Sequence, residues 1–208
     1  MNIGQKFKMI VHFYMEVYAV RHAQSTYNLW RVQRVFKPSL WFVKDPMYYD
    51  SPLTEKGLSQ ACQASFSVKE VASELDLILC SPLTRTIQTM QGMFPNPKCR
   101  VVLTPLIREQ LKHACDIGKP YSELSQSYPE YEFQHFEKEH WWQPKTSDPW
   151  EVHRESWDEL LERVNQTMLF LKQHREKKVF LVTHGNFLRA FLNVTFLPRN
   201  CQVTKLSF

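Results

Sequence analysis

Val17-Tyr18-Ala19-Val20-Arg21-His22-Ala23-Gln24-Ser25 opens as an uninterrupted apolar run and closes on Arg, His and short polar residues. A run without polar alternation marks a strand buried on both faces. Two later stretches have the same form: Leu77-Ile78-Leu79-Cys80-Ser81-Pro82-Leu83-Thr84-Arg85 and Val179-Phe180-Leu181-Val182-Thr183-His184-Gly185. Each delivers His or Arg where the strand gives way to a turn or helix. In an open α/β sheet, ligands bind outside the carboxyl ends of the strands. Arg21, His22, Arg85 and His184, far apart in the chain, can therefore meet at one end of one sheet. Such a meeting makes a phosphate site with a candidate nucleophile in it.

Working outward, residues about 16–22 form the first strand. Residues 24–53 show no convincing periodicity and read as a long loop. It is aromatic and basic, with Trp30, Phe36, Trp41 and Phe42 among Arg31, Arg34, Lys37 and Lys44. A connection of that length in a compact domain is usually functional or disordered, and the aromatic content argues against disorder. Thr54 is placed to cap a helix over about 55–74, with an apolar stripe of Leu58, Ala61, Cys62, Phe66, Val71 and Leu75. A buried strand at 77–81 and a helix over about 83–93 follow, with Pro82 suited to the helix start. A strand at 100–104 precedes a long polar and aromatic region. The helix over about 153–174 has the apolar face Trp157, Leu160, Leu161, Val164, Met168 and Leu171. Acidic residues open it and basic ones close it, matching the helix dipole. Strand 179–183, helix 187–195 and a strand near 202–207 complete the alternation. The pattern defines a single α/β domain, a mostly parallel central sheet between two helix layers, over residues 9–208. Residues 1–8 read as a loose tail.

The 208 residues are 43% hydrophobic, enough for one substantial core. The formal charge of +5 is spread along the chain, so no dense basic face for nucleic acid is expected. A preference for anionic substrates fits. The five cysteines, Cys62, Cys80, Cys99, Cys115 and Cys201, form no CxxC pair and read as reduced thiols in a cytoplasmic protein. No Cys or His cluster has zinc-ligand spacing, so neither metal nor cofactor is expected. The apolar run Met9–Val20 is interrupted by His12 and Glu16 and is too short to span a bilayer. It has no small-residue cleavage site. No membrane partner is expected, and oligomeric state is not legible.

The chemistry of these strand ends is specific. An imidazole can attack phosphorus and form a phosphohistidine if the attacking nitrogen carries no proton. Arg85, one turn into a helix after a strand, adds a planar bidentate donor where a helix start already favours anions. Gly185 after His184 lets a ligand approach the backbone. Singly, each residue could be a buried or surface side chain of no functional weight; together, at three strand ends, they are not.

These stretches resemble the histidine phosphatase superfamily, which includes the cofactor-dependent phosphoglycerate mutases. Arg21-His22-Ala23 is similar to the family's Arg-His-Gly signature. Ser81-Pro82-Leu83-Thr84-Arg85-Thr86-Ile87-Gln88-Thr89 is similar to its Ser-x-Leu-x-Arg-Ala-x-Gln-Thr segment, and Val182-Thr183-His184-Gly185 to its second histidine motif. Order and spacing agree from about residue 16 to 207. The resemblance implies a phosphoglycerate mutase-like three-layer α/β/α sandwich. It implies His22 as nucleophile and Arg21, Arg85 and His184 as clamps on the phosphoryl oxygens. Asn28 would be a further phosphate contact. Glu109 in Leu106-Ile107-Arg108-Glu109 would be the proton donor. Residues 24–50 and 108–150 would wall the site, with Trp141, Trp142 and Trp150 packing the cap over it.

Departures from the family pattern sharpen the expectations. Ala23 stands in place of the signature glycine, which would be strained if that position needed φ > 0. Thr86 replaces a usual alanine. The segment after Glu109 lacks the mutases' Glu-Arg-x-Tyr-Gly pattern. His113 and Cys115, near the acid, read as substrate-loop or structural residues. The implied activity is hydrolysis of a phosphomonoester, carried by a small molecule or a phosphoprotein, without a metal. The alternatives are a phosphomutase and a phosphate-binding module that keeps the fold without turnover.

Overall fold

A computed structural model of the chain describes residues 15–142, 148, 150, 152–173 and 175–207. The expected tail at 1–8 lies outside them. Among the described residues, six strands form one sheet in the order β4-β3-β2-β5-β1-β6. They are β1 (Glu16–Arg21), β2 (Leu77–Cys80), β3 (Arg100–Leu103), β4 (Glu132–Phe133), β5 (Lys178–Thr183) and β6 (Val203–Ser207). Pairing is parallel except between β1 and β6. The chain runs from β1 over to β2, outward through β3 and β4, then back to β5 between β1 and β2. That return brings the ends of β1, β5 and β2 side by side: Arg21 is level with Thr183, and Cys80 with Val182.

Strand residues alternate between two cores. Tyr18, Val20, Ile78, Cys80, Phe180 and Val182 pack with Ala64, Ile87 and Met90, which lie on α2 (Glu55–Ser67) and α4 (Thr84–Met93). Val17, Ala19, Leu77, Leu79, Val179 and Leu181 pack with Leu160, Val164 and Phe187, on α6 (Trp157–Gln173) and α7 (Gly185–Phe191). Apolar residues on both faces explain the unbroken hydrophobic runs. The result is the expected three-layer α/β/α sandwich. The short helices α3 (Lys69–Ala72) and α5 (Tyr121–Ser127) lie in the connections.

The helix expected over about 55–74 breaks at Val68 into α2 and α3, β4 and α5 lie in the region read as polar and irregular, and three further details depart from the sequence reading. Residues 24–53 are not a loop throughout, because α1 spans Thr26–Phe36. It starts at a reciprocal cap: Asn28 N–H donates to Ser25 Oγ, and Ser25 N–H donates to Asn28 Oδ1. Second, α2 buries small residues rather than large ones. Gly57, Ala61 and Ala64 face inward, while Leu58 and Phe66 are exposed. The cause is close packing, since a Cβ on Gly92 of α4 would lie 2.7 Å from Ala61 Cβ. Third, α6 buries Arg163 and Thr167 beside Leu160, Val164 and Leu171, whereas Trp157 and Leu161 are exposed. Both polar side chains reach the Leu106 carbonyl, Arg163 Nη1 at 3.0 Å and Thr167 Oγ1 at 3.4 Å.

Candidate active site

The three strand ends open into one cavity of about 790 Å³. Its floor holds Arg21, His22 and Arg85, its walls Asn28, Glu109 and Asp116, and its rim Arg31, Lys44 and Lys112. His22 follows β1 and its N–H donates to the Thr183 carbonyl at 2.9 Å. The His184 ring lies edge-on to the His22 ring, with centroids 5.2 Å apart. Arg21, His22 and Arg85 therefore line one cavity, whereas His184 is fully buried against His22 and is not among the residues that line it.

Hydrogen bonds orient the His22 ring. Its Nδ1 lies 2.7 Å from the Ala23 carbonyl oxygen. A carbonyl only accepts, so Nδ1 carries the proton and a neutral ring leaves Nε2 bare. Burial, with the positive charges of Arg85 and Arg21 beside it, holds His22 well below the usual histidine range. His184 is held low by burial and then by Arg85 and His22. Its Nε2 meets Ser81 Oγ at 2.7 Å, while its Nδ1 is buried without a partner. Arg21 is tied by Nη1 to the Pro198 carbonyl at 2.9 Å, and its Nε is likewise buried and unpaired.

Ala23 does not have positive φ, so alanine is unstrained there. Its methyl packs with Leu53 and Ala61, and its N–H donates to Thr89 Oγ1 at 3.0 Å. Asn28 spends its Oδ1 on the helix cap, which leaves the amide nitrogen for a ligand. Asn200 Nδ2 donates to the His22 carbonyl at 2.6 Å.

Arg85 is the second residue of α4, earlier in the helix than its expected position. Its fork is already engaged: Nη2 donates to Asp116 Oδ1 at 2.9 Å and Nη1 to the Cys115 carbonyl at 2.5 Å. Asp50 caps α4 from outside, accepting from Thr84 N at 2.8 Å and Thr84 Oγ1 at 2.6 Å.

Glu109 caps α7. Its carboxylate accepts from the N–H groups of Asn186 at 3.1 Å and Phe187 at 3.3 Å. Burial and the nearby charge of Asp116 nevertheless hold Glu109 above the usual carboxylate range. Its loop is anchored by a buried ion cluster. Glu155 accepts from Arg108 Nη1 at 3.0 Å and from Arg163 Nη2 at 2.8 Å. Arg163 Nη1 also donates to the Arg108 carbonyl at 2.8 Å.

Sequence reasoning missed Asp116, Asn200 and the Arg108–Glu155–Arg163 cluster. None has a spacing signature: Asp116–Arg85, Asn200–His22 and Glu155–Arg108 join segments 31 to 178 residues apart, and Arg163 meets Glu155 from eight residues on, across the start of α6. His113 and Cys115 do line the cavity. Burial, aided by Asp116, pushes the Cys115 thiol up, so it stays protonated. Trp141 and Trp142 do not cover the site. They are buried in the core beside α2 and α4, and Trp141 donates from Nε1 to the Lys119 carbonyl at 2.9 Å. Trp150 is half exposed and meets Tyr49 edge-on. Among the described residues, no three His, Cys, Asp or Glu side chains cluster as metal ligands.

A sheet of this topology with two histidines and two arginines at its carboxyl end defines a phosphoryl-transfer fold of the phosphoglycerate mutase type. The chain belongs to the histidine phosphatase superfamily (branch 1), whose family profile matches residues 17–200. It is 26% identical over 224 residues to phosphoglycerate mutase-like protein 1 of Arabidopsis thaliana, covering 92% of this chain and 75% of that one. It is 23% identical over 182 residues to a Schizosaccharomyces pombe protein named a probable phosphatase, covering 86% and 77%. In fold it is similar to the alpha-ribazole phosphatase of Shigella flexneri, with a TM-score of 0.58, 17% identity, and 92% and 89% of the two chains covered.

Proposed function

We propose that the chain hydrolyses phosphomonoesters through a phosphohistidine on His22. The observation that carries this reading is the His22 tautomer: Nδ1–H is fixed on the Ala23 carbonyl at 2.7 Å, beside two guanidinium groups. The bare Nε2 attacks phosphorus and the P–O ester bond breaks. Arg21, Arg85, His184 and Asn28 hold the phosphoryl oxygens, where charge spreads in the transition state. The unpaired Arg21 Nε supports that assignment, because a guanidinium N–H without a partner suits an anionic ligand. Glu109, whose carboxyl is raised by burial above the usual carboxylate range, gives its proton to the leaving alkoxide. Water then attacks phosphorus, Glu109 takes the water proton, the P–Nε2 bond breaks and inorganic phosphate leaves. The substrate is a phosphorylated small molecule or phosphoprotein, and the free cysteines suit a cytoplasmic setting.

The rival outcome is a mutase, in which the phosphohistidine returns its phosphate to a bound substrate. Cations at the rim, Arg31, Lys44 and Lys112, favour it by offering a hold on a second anionic end. Against it stands the missing Glu-Arg-x-Tyr-Gly pattern after Glu109. The test runs phosphate release from para-nitrophenyl phosphate beside a coupled mutase assay with 2,3-bisphosphoglycerate and 3-phosphoglycerate. Hydrolysis that disappears in His22→Ala, with negligible isomerisation, is expected. Mutase turnover above hydrolysis would replace the phosphatase reading, and no turnover in either assay would leave a binding module.

A further inference from the structure

Residues 25–44 contain Arg31, Arg34, Lys37 and Lys44 but no Asp or Glu. Within this segment α1 turns Tyr27 and Trp30 inward, onto Cys115, Leu40 and Val43. At about 100° per residue, Leu29, Val32, Val35 and Phe36 fall within an arc of roughly 120° on the other side of the helix. All four are exposed, Phe36 by 77%, and Phe42 beyond the helix is exposed by 92%. Six of the eighteen large exposed hydrophobic side chains among the described residues lie between positions 29 and 42. That concentration is too dense for ordinary surface scatter and marks a contact face.

We propose that this face, α1 with residues 37–44, docks on the surface of an anionic lipid bilayer. The pattern of charge selects the occupant. An apolar stripe flanked by Lys and Arg, with no carboxylate, matches the boundary between acyl chains and acidic headgroups. A second copy does not match, because a two-fold pairing sets the same cations of two protomers against each other. The face is continuous with the active site: Trp30, Arg31, Val35, Trp41 and Lys44 also line the cavity. Across the mouth, Leu197 lines the cavity while its neighbour Phe196 is 61% exposed. Docking therefore turns the mouth of the cavity towards the bilayer. No helix of the described residues is long and apolar enough to cross a membrane, so the association is peripheral. The absence of a membrane partner expected from the sequence rested on spanning segments alone.

The test is co-sedimentation of the full chain with vesicles of equimolar phosphatidylcholine and phosphatidylserine, and with phosphatidylcholine vesicles alone. Binding to the acidic vesicles, weakened by salt, is expected, with far less on the neutral ones. Lys37→Ala should lower the partition about fivefold. The double variant Phe36→Ser/Phe42→Ser should lower it at least ~tenfold. Neither variant touches the cavity, so hydrolysis of para-nitrophenyl phosphate should stay unchanged in both. Absence of binding to acidic vesicles, or binding that these variants leave intact, overturns the proposal. A dimer in light scattering that the double variant dissolves, with no vesicle binding, assigns the face to a second copy instead.

Discussion

Asp116 holds Arg85. Its Oδ1 accepts from Arg85 Nη2 at 2.9 Å, with the two side chains 5% and 3% exposed. Its Oδ2 accepts from the N–H groups of Lys112 and His113, both at 3.1 Å. One carboxylate thus sets the position of the guanidinium at the cavity floor and folds the loop after Glu109 onto it. Arg85 keeps N–H groups for an anion, because only one bond is made from each terminal nitrogen.

Removing this carboxylate leaves a buried cation unpaired. Breaking a buried pair from one side costs about 3–5 kcal/mol. Asp116→Ala should therefore lower stability by about 3 kcal/mol in urea denaturation. Inorganic phosphate should raise the melting temperature of the variant more than that of the parent, because the anion supplies the missing charge beside Arg85. Equal shifts in the two proteins would mean that Arg85 does not face the ligand.

The histidine pair makes the fold sensitive to mild acid. His22 and His184 both lie well below the ordinary histidine value of about 6.5 in the folded chain, because burial and the neighbouring arginines disfavour their charged forms. Once unfolded they bind protons near that value, while the folded chain refuses them. Stability is therefore present above about pH 6.5 and is lost as pH falls from there towards the folded values, by up to ~1.4 kcal/mol per pH unit per histidine. His22→Gln should reduce the slope of unfolding free energy against pH between about pH 6 and pH 5. An unchanged slope would show that His22 is protonated in the folded protein.

Gly57 is required by a backbone approach rather than by a turn. A Cβ there would lie 2.1 Å from the Gln24 carbonyl oxygen, which already accepts from Thr54 N–H at 3.0 Å. The oxygen belongs to the segment that leaves His22, so it cannot retreat without moving the site. Gly57→Ala should cost about 2 kcal/mol, because overpacking outweighs the helix propensity that alanine gains. Its kcat on para-nitrophenyl phosphate should also fall. A variant as stable and active as the parent would mean that α2 shifts freely against Gln24.

What the sequence made legible follows the range of the interactions. The unbroken runs ending at Arg21, Cys80 and Thr183 are local signals, and they placed β1, β2 and β5 to within a residue or two. Thr54 was legible as a cap because its partner Gly57 N–H is three residues on. α1 was missed although its cap is as local: its exposed face is apolar, so the usual contrast between buried apolar and exposed polar residues is absent. The inward face of α2 was misjudged because the demand for small side chains comes from Gly92 and Gln24, outside the helix. Asp116 and Glu155 were missed for a related reason. Their partners Arg85 and Arg108 are 31 and 47 residues away, and a lone carboxylate reads first as a solvated one.

Glu109 and Asp116 are two carboxylates in one cavity with separate environments. Asp116 is paired with Arg85. Glu109 is raised by burial and by the charge of Asp116, against the opposing pull of the Gln110 and Asn186 N–H groups and of Arg85. A raised carboxyl can keep its proton until the leaving alkoxide needs it. Glu109→Gln should therefore slow alkyl phosphates by at least ~100-fold while slowing para-nitrophenyl phosphate much less, since nitrophenolate leaves without protonation. Asp116→Asn removes the charge that helps hold the proton and frees Arg85 to favour the ionised form. Glu109 should then ionise at lower pH, so the alkaline limb of kcat/KM for an alkyl phosphate should move towards acid. Both measurements use soluble substrates, so membrane docking does not enter. Equal slowing of alkyl and nitrophenyl esters in Glu109→Gln would reassign Glu109 to capping α7. A pH profile unmoved in Asp116→Asn would separate the two carboxylates electrostatically.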